Sequence, residues 1–151
     1  MEKKKYTSKS EDKTIEIGIE IGSAIKESLD KLPLLIFLRG NLGTGKTTLT
    51  KGILQGLGSK DLVKSPTFNL VEIYEFDHIE VNHFDLYRIE SSNELDEIGI
   101  RSSLTNKSVL SIIEWPEKFL DFLPNPNINI ELNHYDSDPD VRIIEINYLR
   151  I

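Results

Sequence analysis

Eight consecutive residues constrain the fold of this chain more than any other feature. Gly40-Asn41-Leu42-Gly43-Thr44-Gly45-Lys46-Thr47 matches the pattern G-x-x-x-x-G-K-[ST] at every fixed position. Glycine lets a backbone turn with positive φ and come close to an anion, while the loop N–H groups and the N-terminus of a following helix face the negative charge. The lysine adds a point charge, and the threonine hydroxyl adds an oxygen ligand for a divalent cation. The motif carries meaning only between a buried strand and a helix, and both are readable. Leu34-Leu35-Ile36-Phe37-Leu38 is a continuous apolar run stopped by Arg39-Gly40, the pattern of a strand buried on both faces. Thr47 to Leu57 reads as a helix closed by Gly58. From background composition, a chance match in a chain this long arises on the order of once in two hundred.

The rest of the chain reads as one α/β domain around that unit: a three-layer P-loop NTPase sandwich over residues 14–151, its mixed central sheet including an antiparallel hairpin. Residues 1–13 read as a solvated, flexible tail. From Thr14 to Leu29 the apolar residues alternate like a strand, yet Ile15, Ile19, Gly22, Ile25 and Leu29 also share a helical face; length and a possible N-cap at Thr14 favour a helix. Leu70 to Phe76 and Ile79 to Phe84 form a hairpin candidate around Asp77-His78. Glu94 to Ile98 suggests one or two helical turns, and Val109 to Ile113 a second buried strand ending at Glu114-Trp115-Pro116. Two late strands, near Ile128 to Leu132 and Val141 to Leu149, flank a polar turn from His134 to Asp140.

Composition narrows the function. With 18 basic against 25 acidic residues the net charge is −7, the wrong sign for a protein that holds nucleic acid by its own surface field. The chain has no cysteine, which removes disulfides, thiolate ligands and cysteine nucleophiles, and its 3 histidines show no zinc spacing. The Lys-rich start precedes no apolar h-region, and no apolar run approaches a membrane span, so the expectation is a cytoplasmic protein.

The loop implies ATP or ADP with Mg2+, bound by Asn41, Leu42, Gly43, Thr44, Gly45, Lys46, Thr47 and Thr48. Lys46 would reach the β- and γ-phosphates and Thr47 would ligate the metal. A second acidic group is required at the end of a neighbouring strand, and two qualify. Glu114 ends the run that looks buried on both faces, which suits a strand beside the loop strand, so Glu114 is assigned to the metal. Asp85 ends a run that looks half-buried and is assigned to the attacking water or to base catalysis. Thr67, in Ser65-Pro66-Thr67, is placed where such proteins carry a γ-phosphate sensor. Arg88 could touch phosphate or dock a partner. Taken alone, His83 and Trp115 read as structural.

Taken together, Gly40 to Thr48, Lys64-Ser65-Pro66-Thr67-Phe68, His83-Phe84-Asp85-Leu86-Tyr87-Arg88, Glu97-Ile98-Gly99-Ile100 and Glu114-Trp115-Pro116-Glu117 give a sequence that resembles the TsaE (YjeE) family over roughly residues 14–149. That family is the ATPase component of bacterial tRNA threonylcarbamoyladenosine synthesis. The resemblance implies Thr47 and Glu114 as metal positions, Lys46, Thr67 and Asp85 as residues of hydrolysis, and Thr14 and Arg142 around the nucleotide base. It also implies action with a TsaB–TsaD pair, tRNA being met only through those partners. The competing readings are a small-molecule kinase, for which no arginine-rich lid is evident; a GTPase switch, for which Asp96-Glu97-Ile98-Gly99 is a weak match; and an assembly factor gated by ATP without turnover.

Overall fold

A computed structural model describes residues 2–60 and 70–149. Its centre is β2 (Leu34–Arg39), in which Leu34 to Leu38 are all buried, as the apolar run predicts. Parallel neighbours flank it on both sides: β5 (Val109–Glu114), buried throughout, and β6 (Ile128–Tyr135). Outside β5 lies β4 (Ile79–Asp85), also parallel, followed by antiparallel β3 (Val71–Phe76). On the other flank, β7 (Asp138–Tyr148) and β1 (Glu2–Ser8) add antiparallel strands, giving the seven-stranded order β1-β7-β6-β2-β5-β4-β3. Helices cover both faces. Against one pack α1 (Glu11–Lys26) and α2 (Lys46–Leu57); against the other lie α3 (Ser92–Glu97), α4 (Ile100–Thr105) and a short 3-10 turn, Pro116–Phe119. The result is the three-layer sandwich with a mixed sheet. None of the described helices is long and apolar enough to cross a membrane.

The helix expected from Thr14 to Leu29 is present, but it starts earlier, ends at Lys26 before a separate 3-10 turn at Leu29–Lys31, and turns a different face inward. Ser10 is the N-cap, its hydroxyl accepting from the Lys13 N–H at 3.0 Å, and Glu11 and Asp12 occupy the first turn, where the helix dipole favours acidic groups. The buried stripe is Thr14, Ile17, Gly18, Ile21, Gly22 and Ile25, with Ile15 and Ile19 at its margin. Glycine sets that face. A Cβ on Gly22 would lie 2.1 Å from the Ile53 carbonyl oxygen, and one on Gly18 2.5 Å from that of Leu49, so α1 and α2 touch backbone to backbone.

The N-terminal tail expected over residues 1–13 is corrected by this structure: Glu2 to Ser8 is a strand, in register with β7 at all seven positions. Lysines at 3, 4 and 5 suit a solvated sheet edge, where charge also discourages pairing with other chains. Alternate residues point back to the domain. The Tyr6 hydroxyl donates to Glu20 of α1 at 3.1 Å, and the fully buried Ser8 hydroxyl lies 2.7 Å from that of Thr14.

Asp77 and His78 join β3 to β4 with φ of 48° and 67°, a pair of left-handed residues whose twist matches a two-residue hairpin. The polar turn expected from His134 to Asp140 is shorter, because β6 runs to Tyr135 and β7 starts at Asp138. An exposed antiparallel ladder tolerates polar side chains on its open face, so polarity alone misplaces its ends.

Candidate nucleotide site

The site lies at the C-terminal ends of the parallel strands, on the face covered by α1 and α2. β2 ends at Arg39 and α2 begins at Lys46 after a six-residue loop, its N-cap Gly45 in the left-handed region with φ 103°. Gly43 has φ 79°, with open space where a side chain would stand. Within the loop, the Asn41 carbonyl accepts from the Thr44 N–H at 3.3 Å and the Thr44 hydroxyl at 2.8 Å. Lys46 folds back over this turn, its ammonium donating to the carbonyls of Gly40 and of Asn41, the latter at 3.2 Å. Burial pushes the Lys46 ammonium below the usual lysine range; Glu114, Asp85 and Glu117, in that order, pull it back up.

Strand register brings the two carboxylates together. Glu114 is opposite Leu38 of β2 on one side and Asp85 of β4 on the other, which places β5, and not β4, beside the loop strand. Glu114 is buried and hydrogen-bonded to the His83 ring at 2.5 Å. Asp85 accepts the Tyr87 N–H at 2.9 Å. Burial raises the Asp85 carboxyl above its ordinary value and nearby Glu114 adds to the rise, opposed by the Tyr87 N–H, His83 and Lys46.

The remaining wall comes from elsewhere in the chain. Arg142 of β7 donates from Nε to the Thr44 carbonyl at 3.2 Å, from Nη2 to that of Gly43 at 3.4 Å, and from Nη1 to that of Pro139. It clamps the loop from outside. Thr14, in the first turns of α1, completes the wall on the same side. A cleft of about 500 Å³ is lined by Thr14, Leu42 through Thr48, Asp85, Glu114, Trp115 and Arg142. Thus every candidate from the sequence meets in one cleft except three: Asn41, which shapes the loop through its carbonyl, Arg88, which is exposed and does not line the cleft, and Thr67, which lies outside the described residues.

Two residues that read as structural stand in the site. Trp115 has a left-handed backbone, φ 58°, unusual for a bulky side chain and a form of strain that collects at functional sites. Its ring centroid lies 4.7 Å from the Lys46 ammonium and 4.8 Å from the centroid of the half-exposed Tyr87 ring, and the side chain also packs against the hydrophobic cluster on that face of the sheet. His83 is wholly buried against Glu114. Its signal was present: His83 and Asp85 are two apart on one strand, hence on one face.

The donor chemistry fits magnesium with a nucleotide. Thr47 and Glu114 offer hard oxygen ligands, and Mg2+ uses one or two such protein groups, filling its remaining positions with phosphate and water. No group of three or more His, Cys, Asp and Glu able to hold a metal occurs among the described residues.

Buried parallel strand, glycine loop and helix, with an acidic residue ending the adjacent strand, define the P-loop NTPase class of fold. The crystal structure of Bacillus subtilis YdiB superposes with a TM-score of 0.74 at 22% identity, over 98% of this chain and 86% of that one. The family model described as threonylcarbamoyl adenosine biosynthesis protein TsaE matches residues 8–143. Among relatives, the tRNA threonylcarbamoyladenosine biosynthesis protein TsaE of Haemophilus influenzae is 40% identical over 130 residues, 83% of this chain and 82% of that protein. The Bacillus subtilis protein of the same name is 33% identical over 104 residues, 69% of this chain and 64% of its own length. The chain belongs to the TsaE family.

Proposed function

We propose that this chain is an ATPase that binds ATP or ADP with Mg2+ in the cleft and hydrolyses ATP to support threonylcarbamoyl modification of the tRNA adenosine next to the anticodon, together with TsaB–TsaD type proteins. The observation that carries the reading is the convergence of Lys46, Thr47, Glu114 and Asp85 at the ends of three adjacent parallel strands and one helix N-terminus. Loop N–H groups of residues 42–48 and the α2 dipole hold the phosphates. Lys46 leaves the Gly40 and Asn41 carbonyls for the β- and γ-phosphates. Thr47 and Glu114 hold the magnesium, which when bound neutralises charge on the phosphates. Asp85 orients the attacking water or takes its proton, a role suited by a carboxyl pushed above its ordinary value. Thr67 is assigned as the γ-phosphate sensor, and Thr14 and Arg142 flank the base.

The family name supports the pathway, and the charge of −7 supports contact with tRNA through partners in place of direct binding. Turnover by the isolated chain is expected to be slow, because partners of P-loop enzymes often supply or position a catalytic group. The test is ATP hydrolysis by the purified chain, alone and with a TsaB–TsaD pair, with GTP as control. ATP-specific stimulation by the pair supports the reading; turnover indifferent to the pair contradicts it.

A further inference from the structure

His83 is the buried polar group beside the proposed metal-side carboxylate that this scheme leaves without a task. It lies on β4 on the same face as Asp85, and the strand pairing sets it diagonal to Glu114 at the end of β5. Nε2 of His83 and Oε2 of Glu114 are 2.5 Å apart, with side-chain exposures of 0% and 5%. A carboxylate only accepts, so Nε2 carries the proton and donates it to this bond. The other ring nitrogen, Nδ1, is buried with no partner among the described residues. A buried nitrogen left unpaired is unfavourable, and an apolar side chain would fill this strand position without it. Among the described residues, the hydrogen bond of this ring runs to Glu114.

We infer that His83 is a positioning residue for the magnesium-side carboxylate: it fixes Oε2 of Glu114 and leaves Oε1 for the cleft. The inference rests on the assignment of Glu114 to the metal made above. A charged lysine or arginine at this place would hold the carboxylate but compete with the cation for it, whereas an imidazole N–H holds one oxygen and leaves the negative charge to the metal. The restraint matters because a glutamate carboxylate has free terminal torsions, and Mg2+ demands near-octahedral placement of its ligands. A purely structural histidine would support the fold and be indifferent to the metal; a positioning histidine acts only where the metal is present.

The test uses the intact chain and calorimetric titration with the non-hydrolysable analogue AMP-PNP, once with excess Mg2+ and once with EDTA, for wild type, His83→Leu and His83→Gln. In wild type Mg2+ tightens binding. In His83→Leu the ratio of the two affinities should fall about ten-fold or more, the range for loss of an outer-shell partner, while affinity in EDTA stays within about two-fold. His83→Gln, whose amide N–H reaches a similar position, should restore most of the ratio. A His83→Leu ratio equal to wild type overturns the inference, as does a parallel loss in both buffers. Should His83→Leu fail to fold, His83→Gln decides: a ratio near wild type supports the inference and a ten-fold loss overturns it. A wild-type chain that binds AMP-PNP in neither buffer overturns the nucleotide reading beneath it.

Discussion

The parallel centre of the sheet and its antiparallel β1–β7 flank are built on opposite principles. In the centre, β2 and β5 are buried on both faces and hand their last residues to the site. In the flank, β1 and much of β7 keep one face in solvent, carry lysines and aspartates, and reach the site through Arg142 and Asp140 of β7 and through the Ser8–Thr14 contact. The difference teaches a division of labour: strand ends in the centre place the groups that do chemistry, and the flank props the loop and the first turns of α1 against them. Substitutions in the two regions should differ in kind as well as in size.

The largest effect belongs to the centre. Asp85→Asn should lower kcat for ATP by about 10²- to 10⁴-fold, the usual loss on removing a general base, with little change in AMP-PNP affinity. The same change should raise stability at neutral pH. Because the folded carboxyl lies above its ordinary value, its contribution to stability is full below the unfolded aspartate value, near 4, and is lost as pH rises through the folded one. Thermal melts should therefore place Asp85→Asn above wild type at pH 7 and level with it near pH 3. A lower melting point at pH 7 would contradict the burial that sets this sign.

Next in size, Lys46→Ala removes a charged hydrogen-bond donor and should weaken Mg-ATP binding by about 10- to 100-fold, measured by calorimetry. In the flank, Arg142→Ala should weaken binding by only about five-fold, equivalent to ~1 kcal/mol, and leave kcat at saturation within two-fold. If it instead lowers kcat as far as Asp85→Asn does, the separation of chemistry from support fails. The smallest effect is Tyr6→Phe, which severs the β1–α1 tie at an exposed hydroxyl and should cost about 0.5 kcal/mol in urea unfolding, with ATP turnover unchanged. The Tyr6 phenol is pushed up to about 12, by burial first and then by its bond to Glu20. Its raised value makes its contribution full below the ordinary tyrosine range and lost as pH rises through about 12, so wild type and Tyr6→Phe should converge only in strong alkali.

The same contrast explains what the sequence made legible. Burial on both faces writes an unbroken apolar run, so β2, β5 and the carboxylate at the end of β5 were readable, and the fixed spacing of the glycine loop named its own helix. Nothing local distinguishes a lysine-rich edge strand from a solvated tail, because β1 is held by its register with the far end of the chain. The start of α1 was misread by four residues for a related reason: Ser10 and Thr14 are both plausible caps, and the packing of Gly18 and Gly22 on α2, absent from any local pattern, decides which face turns inward. His83, and Trp115 taken without the family resemblance, read as structural because their partners, Glu114 and Lys46, are distant in sequence and meet them through strand order. Thr14 and Arg142, which stand in no local motif, came from the family resemblance, and the fold brings both to the cleft wall.

The most direct measurement of the central claim is calorimetric titration of the intact chain with ATP and with GTP in the presence of Mg2+. A single site per chain for ATP, tighter than for GTP and lost with Mg-side or loop substitutions at Glu114 and Lys46 together, is the result this account predicts. A chain that binds no ATP, or whose ATP affinity survives Lys46→Ala unchanged, would contradict it.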